Sequence, residues 1–329
     1  MKRRAFLSNA LTAAAATYSL GSQVTNTIPS SQESYRAVSA GAEIPTEQTQ
    51  RRRVLRVAYL TDIHVKPDKV AEAGMAKALK SANALNPRPD FILNGGDSIM
   101  DALEKTREET QAQWATYKRI LKAENSLPVV HTIGNHDIWG WFSKTNGLQT
   151  EKGYGKQWAV EELGLPKRYY AFERAGWKFI ILDSVQLNPA GGYIAFLDQE
   201  QYTWLEAELK KTAPTTHICI NSHIPILSMC AGLFYGKIEA NGDLLTKRNL
   251  MHTDFFKLKT LFRNYPNIRL CLSGHIHLID EVNYLGITYY CNGAVSGAWW
   301  KGAFQDFPPT YAVLDYFNDG SFERTFVNY

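Results

Sequence analysis

The chain has 329 residues, 45% hydrophobic and 21% charged, with a formal net charge of +4. That length permits one large catalytic domain or two small ones, and it buries a core without disulfide staples. Three of the positive charges, Lys2, Arg3 and Arg4, lie in a segment expected to be removed, with no acid in residues 1–32 to offset them; the mature chain near +1 carries no electrostatic footprint for strong nucleic-acid binding.

Residues 1–22 read as an export signal. Lys2-Arg3-Arg4 precedes Ala5-Phe6-Leu7 and a mildly apolar stretch, 10–20, too short and too polar to span a bilayer stably. The paired arginines before an apolar residue and a leucine resemble a twin-arginine signal; the alternative is an ordinary secretory signal that contains two arginines. Either route makes the export machinery a partner and places the protein outside the cytoplasm, in a periplasmic or extracellular space. Residues 23–53 are rich in Ser, Thr, Gln and Glu without periodicity and read as a flexible linker. Its last residues, Arg51, Arg52 and Arg53, read as a solvated charge run. The catalytic domain is expected over 54–329.

From there strand-like and helix-like patterns alternate. An apolar β-branched run, 54–60, ends at Thr61-Asp62. A helix is predicted over 69–86, where Met75, Leu79, Ala82 and Leu85 recur at spacings of three and four. The buried run 91–93 ends in Asn94-Gly95-Gly96-Asp97, a long polar helix spans 102–124, and the run 128–133 ends in Gly134-Asn135-His136-Asp137. Segments 169–174 and 177–183 read as a hairpin turned at Ala175-Gly176. A helix over 198–211 opens with Asp198 and Gln201 spaced as a capping pair. Strand 217–221 ends at Ser222-His223, helix 253–265 follows, and strand 269–272 ends at Ser273-Gly274-His275-Ile276-His277. Four more short strands close the chain. This alternation predicts an α/β architecture with partly parallel sheets. Cys219, Cys230, Cys271 and Cys291 form no CxxC pair, and three of them lie in apolar runs, so they read as small buried hydrophobes.

Five strand ends share one grammar. Asp62 and His64, then Asp97, then Asn135 with His136 and Asp137, then His223, then His275 and His277 each follow an apolar run. In open α/β sheets, sites form beyond the carboxyl ends of strands. Carboxylate, imidazole and amide oxygen suit Zn, Fe or Mn. Asp62 and His64, two apart on a segment expected to be extended, point the same way and reach one metal; His275 and His277 repeat this. Asp97 is the natural bridge between two metals, because Gly95-Gly96 lets the backbone turn tightly.

In this order D-x-H, G-G-D, G-N-H-D, a strand-end His and G-H-x-H closely resemble the calcineurin-like metallophosphoesterase family, over about residues 54–280. The resemblance implies two facing mixed β-sheets flanked by helices, a four-layer α/β sandwich. It implies Asp62, His64 and His277 on a first metal, Asn135, His223 and His275 on a second, and Asp97 between them. It places His136 near the leaving-group oxygen, with Asp137 fixing its orientation. Such a pair of divalent or trivalent ions activates a water to hydroxide and neutralises charge on the phosphoryl oxygens. Two departures narrow the expectation. Ser222 stands before His223 where many relatives have His, so His223 is the ligand. Met100 stands three residues after Asp97, where purple acid phosphatases place a Tyr ligand. The absence of a second folded domain after residue 53 counts against two-domain nucleotidases.

His131 and His217 read as core or sheet residues, and His252, just before a helix, either caps it or reaches the site, the cap being the preferred reading. Trp139, Trp141 and Phe142 after the G-N-H-D motif, and Trp299 and Trp300 in a Gly-rich loop, either pack in the core or bind the organic part of a small phosphate ester. On the second reading the substrate is a phosphodiester. A broad phosphomonoesterase and a silent binding scaffold of the same fold are the alternatives, although no ligand is missing; a nuclease would need a basic groove.

Overall fold

The computed structural model describes residues 50–329 apart from Asn146. The expected export signal and the linker as far as residue 49 lie outside the described residues. Residues 50–53 belong to the folded unit. The expected charge run is in fact bonded: Arg51 pairs with Glu323 at 2.7 Å and lies 3.5 Å over the Phe317 ring, and Arg53 pairs with Asp315.

The first strands, β1 (Arg53–Leu60), β2 (Phe91–Asn94) and β3 (Val129–His131), run parallel. Helices α1 (Lys69–Asn83) and α2 (Arg107–Glu124) make the crossovers. Asp68 caps α1, and Thr106 with Glu109 forms a capping box on α2. That box explains why α2 opens at Arg107 and not at 102. Residues 101–106 form a loop, closed by Asp101 N to Gln113 Oε1 (2.9 Å) and Gln113 Nε2 to Asp101 O (2.8 Å).

After α3 (Gln157–Glu162), β4 (Tyr170–Arg174) and β5 (Trp177–Leu182) form the predicted hairpin. β6 (Val185–Leu187) pairs with β7 (Tyr193–Ala195) in a small second hairpin. Asp198 caps α4 (Gln199–Lys211) by accepting from Gln201 N. The Gln201 side chain does not complete a capping box; it makes two 2.8 Å bonds to the Asp183 backbone. β8 (His217–Ser222) leads into α5 (Cys230–Tyr235) and the short pair β9 (Lys237–Ile238) and β10 (Leu244–Leu245). α6 (Phe255–Phe262) and β11 (Ile268–Ser273) follow. Four strands then close the chain, as expected: β12 (Ile279–Tyr284), β13 (Ile287–Asn292), β14 (Thr310–Phe317) and β15 (Phe322–Asn328).

Two mixed sheets result, ordered β15-β14-β1-β2-β3 and β12-β13-β11-β8-β5-β4. Alternation along each strand sorts side chains into layers. Val57 and Tyr59 of β1 pack with Phe179, Cys219 and Leu270 between the sheets. Ala58 and Leu60 face outward onto Met75 and Leu79 of α1. On the far side, Ile180, Ile218 and Ile220 meet Leu205 of α4 and Leu258 of α6. The fold is therefore a four-layer α/β sandwich. Cys219, Cys271 and Cys291 are buried and Cys230 half-buried, and all four are free thiols. Among the described residues no helix is long and apolar enough to cross a membrane.

Candidate metal centre

Every parallel strand of both sheets runs its carboxyl end to the same edge region, and the loops there are tied to one another. Asp62 N donates to Gly96 O (3.0 Å) and His64 N to Asp97 O (3.0 Å), while Ser296 N donates to Asp62 O and Gly274 N to His223 O. The backbone between ligands is not extended as the D-x-H spacing suggested. Asp62 (φ 55°), His64 (48°), Asp97 (53°), His275 (69°) and His277 (57°) are all left-handed. Each such non-glycine residue costs about 1–2 kcal/mol, and strain of this kind collects at functional sites. Glycines allow the close approach around them. A Cβ on Gly96, itself at φ 108°, would lie 2.5 Å from His223 Nδ1, and one on Gly274 would meet Asp62 Oδ2 at 2.3 Å.

The strained loops bring all seven expected ligands together. Asp62, His64 and His277 offer ligand atoms within reach of one ion, and Asp97, His223 and His275 do the same for a second. Asp97 faces both groups, with Oδ2 3.6 Å from His64 Nε2 and 3.2 Å from His223 Nε2. Asn135 Oδ1 lies 3.1 Å from His223 Nε2, and His277 Nε2 3.1 Å from His64 Nε2.

Whether these residues fit a metal can be read from their outer bonds. In each histidine one ring nitrogen faces a backbone carbonyl: His64 Nδ1 with Met100 O (3.4 Å), His223 Nδ1 with Gly95 O (2.9 Å), His277 Nδ1 with Gly297 O (2.6 Å) and His275 Nε2 with Asn249 O (2.9 Å). A carbonyl partner fixes the tautomer and leaves the other nitrogen as a lone-pair donor, the usual second support of a metal-bound imidazole. Burial pushes His64 and His275 down to about 3, so both stay neutral. Burial alone would raise Asp62, but His277 and His223 bring it down to about 2. Burial would likewise lower His223, but Asp97 holds it up at about 9, so that in the metal-free site a proton occupies the place a cation would take. Buried carboxylates and imidazoles so arranged suit a cation, and the residues fit.

His136 stands beside the cluster, its ring 4.8 Å from that of His64. It also lies within ligand reach of His64 and Asp97. Its backbone N donates to Asp97 Oδ1 (2.8 Å). Its Nδ1 is buried without a hydrogen-bond partner and lies 3.7 Å from Asp101 Oδ1. Burial opposes protonation of His136, yet Asp97 and Asp101 raise it above the ordinary imidazole value. Asp137 does not orient this ring, contrary to expectation. Its carboxylate accepts from Ser98 N (2.8 Å), Ile99 N (3.2 Å) and Gly134 N (2.9 Å), so it clamps the G-G-D loop to the G-N-H-D loop. Asp101 is the acid beside His136. Nothing marks it in sequence except its place four residues after Asp97.

The other histidines stay outside the cluster. His131 is buried near Asn94 and Tyr117, and His217 faces Asn318 O. His252 is not a cap; it bridges Ser222 Oγ (3.0 Å) and Asp254 Oδ1 (2.9 Å) beneath the loop that carries His223.

The tryptophans divide. Trp139 is 1% exposed, packs on Trp158, and donates Nε1 to Lys105 O, so it is core and not a substrate contact. Trp141 lies against Gly155 with Lys156 above its ring, off both clefts described below. Trp300 donates Nε1 to His64 O (3.0 Å) and fills the space at Gly74, which makes it a prop for the D-x-H loop. Only Trp299 faces the mouth, its ring 4.5 Å from that of His277. Trp139→Ala should therefore cost about 3–5 kcal/mol of stability in chemical denaturation. Trp299→Ala should shift stability by less than about 0.5 kcal/mol and raise KM; the reverse pattern would refute the division.

A two-sheet α/β sandwich with carboxylate and imidazole donors gathered where its parallel strands end defines a metal-dependent phosphoesterase. Residues 55–278 match the calcineurin-like phosphoesterase family. The chain belongs to that family, whose members use divalent metals. It is 28% identical over 222 residues to the human serine/threonine-protein phosphatase CPPED1, covering 67% of this chain and 63% of that one. It thus spans less than two thirds of that relative. A 3',5'-cyclic-nucleotide phosphodiesterase of Nostoc is 26% identical over 255 residues, 72% of this chain and 79% of that one. Among solved structures, a dimetal phosphatase from Danio rerio superposes with a TM-score of 0.56 at 15% identity, covering 84% of this chain and all of that one.

Proposed function

We propose that this phosphoesterase uses two metal ions to hydrolyse small organic phosphodiesters. The observation that carries the diester reading is a pair of clefts that meet at His136. One, of ≈ 550 Å³, runs past Met100, Asp101 and Trp299. The other, of ≈ 680 Å³, runs past Asn135, Phe142 and Tyr193. A phosphorus centred between them has room for one ester arm on each side, whereas a monoester fills a single cleft.

Asp62, His64, His277 and Asp97 would hold one ion, and Asp97, Asn135, His223 and His275 the other; the donors suit Zn, Fe or Mn. When bound, the ions supply Lewis acidity and an activated water for in-line attack at phosphorus. The chain's own groups do the rest. His136, whose Nδ1 lies 3.7 Å from Asp101 Oδ1, would donate a proton to the departing alkoxide. Trp299 packs its ring 4.5 Å from that of His277 and lines the first cleft.

Metal analysis of purified protein should give two ions per chain. On bis(4-nitrophenyl) phosphate kcat/KM should exceed that on 4-nitrophenyl phosphate by about tenfold or more. A preference for the monoester, in line with the relatives named as phosphatases, would replace the diester reading.

Export is part of the same proposal and is motivated by the paired arginines. Changing Arg3 and Arg4 together to Lys should hold the folded protein in the cytoplasm, as read by fractionation. Normal export of that variant would assign the ordinary secretory route.

A further inference from the structure

The two clefts differ in charge. The cleft beside Trp299 carries both signs, with Lys66 and Lys105 against Asp101 and Glu109. The cleft beside Tyr193 has Lys247 and Arg248 on its rim, and no Asp or Glu lines it. Neither cation has a carboxylate within 4.0 Å among the described residues, whereas Lys105 pairs with Glu109. The acids nearest in sequence are engaged elsewhere, Asp243 with Asn241 and Asp254 with His252.

The segment bearing these cations is fixed to the metal centre. Arg248 O accepts from Ala195 N (3.0 Å), which stitches the segment to β7. One residue on, Asn249 O meets the ring of the ligand His275 (2.9 Å). Lys247 and Arg248 therefore sit two and one residues from a group that supports a metal ligand, in a cleft that Asn135 and His136 also line. Unpaired cations beside a reaction centre cost the fold electrostatic self-repulsion, and a ligand anion relieves it.

We infer that Lys247 and Arg248 form a subsite for a second anionic group on the substrate, a carboxylate or a further phosphate on the ester arm that enters the Tyr193 cleft. The arm in the Trp299 cleft is then the uncharged one. This inference rests on the phosphoesterase reading of the centre, but it concerns binding and is testable without turnover. It also explains why the polar rim of this cleft lies on the 244–249 segment and not on the sheet. The segment between His223 and His275 is long enough to carry specificity groups without disturbing either ligand.

The test uses non-hydrolysable phosphonates and calorimetry on the full, metal-loaded protein. Propylphosphonate supplies one anion. Carboxyalkylphosphonates and alkane-α,ω-diphosphonates with arms of about two to six carbons supply a second, so both the arm length and the source of the anion are scanned. At least one two-anion ligand should bind about five- to tenfold more tightly than propylphosphonate. The gain should shrink between low and high salt. Lys247→Gln with Arg248→Gln should erase that gain. Whether carboxylate or phosphonate arms gain more identifies the source. Equal Kd values across the whole series in the unaltered protein would overturn the subsite. So would a gain that persists in the double variant. An equal loss of affinity for propylphosphonate and the two-anion ligands would mean that the cations hold the reacting phosphate, and would overturn it too. Failure of every phosphonate to bind would sink the phosphoesterase reading along with the subsite; hydrolysis of diesters with no gain would sink the subsite alone.

Discussion

Asp97→Asn should lower metal occupancy at both positions and reduce kcat/KM on the order of 10³-fold. The substitution keeps the shape of the side chain. Its remaining carbonyl oxygen can still accept from His136 N, the 2.8 Å bond that Asp97 Oδ1 makes. What disappears is a buried negative charge that faces His64 at 3.6 Å and His223 at 3.2 Å. Asp97 is itself held well below the ordinary carboxylate range: burial opposes ionisation, but His223 and His136 more than offset it. Without metal, that charge is stabilised by His223 and His136, although it raises Asp62 nearby. The metal-free variant should therefore be less stable than metal-free wild type, because His223 and His136 lose the buried carboxylate they face, and metal should raise its melting temperature far less. Elemental analysis with paired melting curves separates the possibilities. Loss at one position only, with the other filled, would show that Asp97 is not shared.

Much of this centre was legible because metal chemistry restricts residue types. Nine candidate donors at five strand ends could be picked from the sequence, the resemblance implied seven of them as ligands, and the structure brings those seven side chains together. The succession of strand-like and helix-like runs made an α/β architecture legible, whereas the four-layer arrangement came from the family resemblance. Backbone conformation was not legible. The spacing of Asp62 and His64 fits an extended segment equally well, and only the three-dimensional ties to Gly96 and Asp97 force both residues left-handed. Asp137 shows a second limit. An acid next to a histidine in sequence invites a pairing, but on a tight turn adjacent side chains diverge, and three amides claim the carboxylate. Asp101 reaches His136 from the start of the loop 101–106, whose remaining residues the helix predicted over 102–124 had included. The aromatic residues show a third limit. Trp139 and Trp299 look alike as letters, and their difference is the direction in which each loop leaves its strand. Arg51 shows the same for charge, because a run of arginines carries no sign of the Glu323 and Phe317 that meet it at the far end of the chain.

His136→Ala should keep both metals and lose rate in proportion to how poor the leaving group is. The backbone bond from residue 136 to Asp97 survives the change, so the shared carboxylate stays in place. What is lost is an imidazole whose basicity Asp97 and Asp101 raise against the effect of burial. A nitrophenolate departs without a proton, so its hydrolysis should fall by less than about tenfold. An alkoxide is a far stronger base and needs the proton in the transition state, so alkyl diesters should lose about 10²- to 10⁴-fold. Asp101→Asn should give the same pattern at smaller amplitude, because the ring remains but loses a carboxylate at 3.7 Å. Plotting log kcat/KM against leaving-group pKa reads all three proteins on one graph: steep for His136→Ala, intermediate for Asp101→Asn, shallow for wild type. Parallel lines would remove the acid role. The structure names the competing assignment, since His136 also lies within ligand reach of His64 and Asp97. If His136 is instead a ligand, the Ala variant will lose an equivalent of metal, and its rate will fall equally for every leaving group. The slope thus changes without the metal content under one reading, and the metal content without the slope under the other.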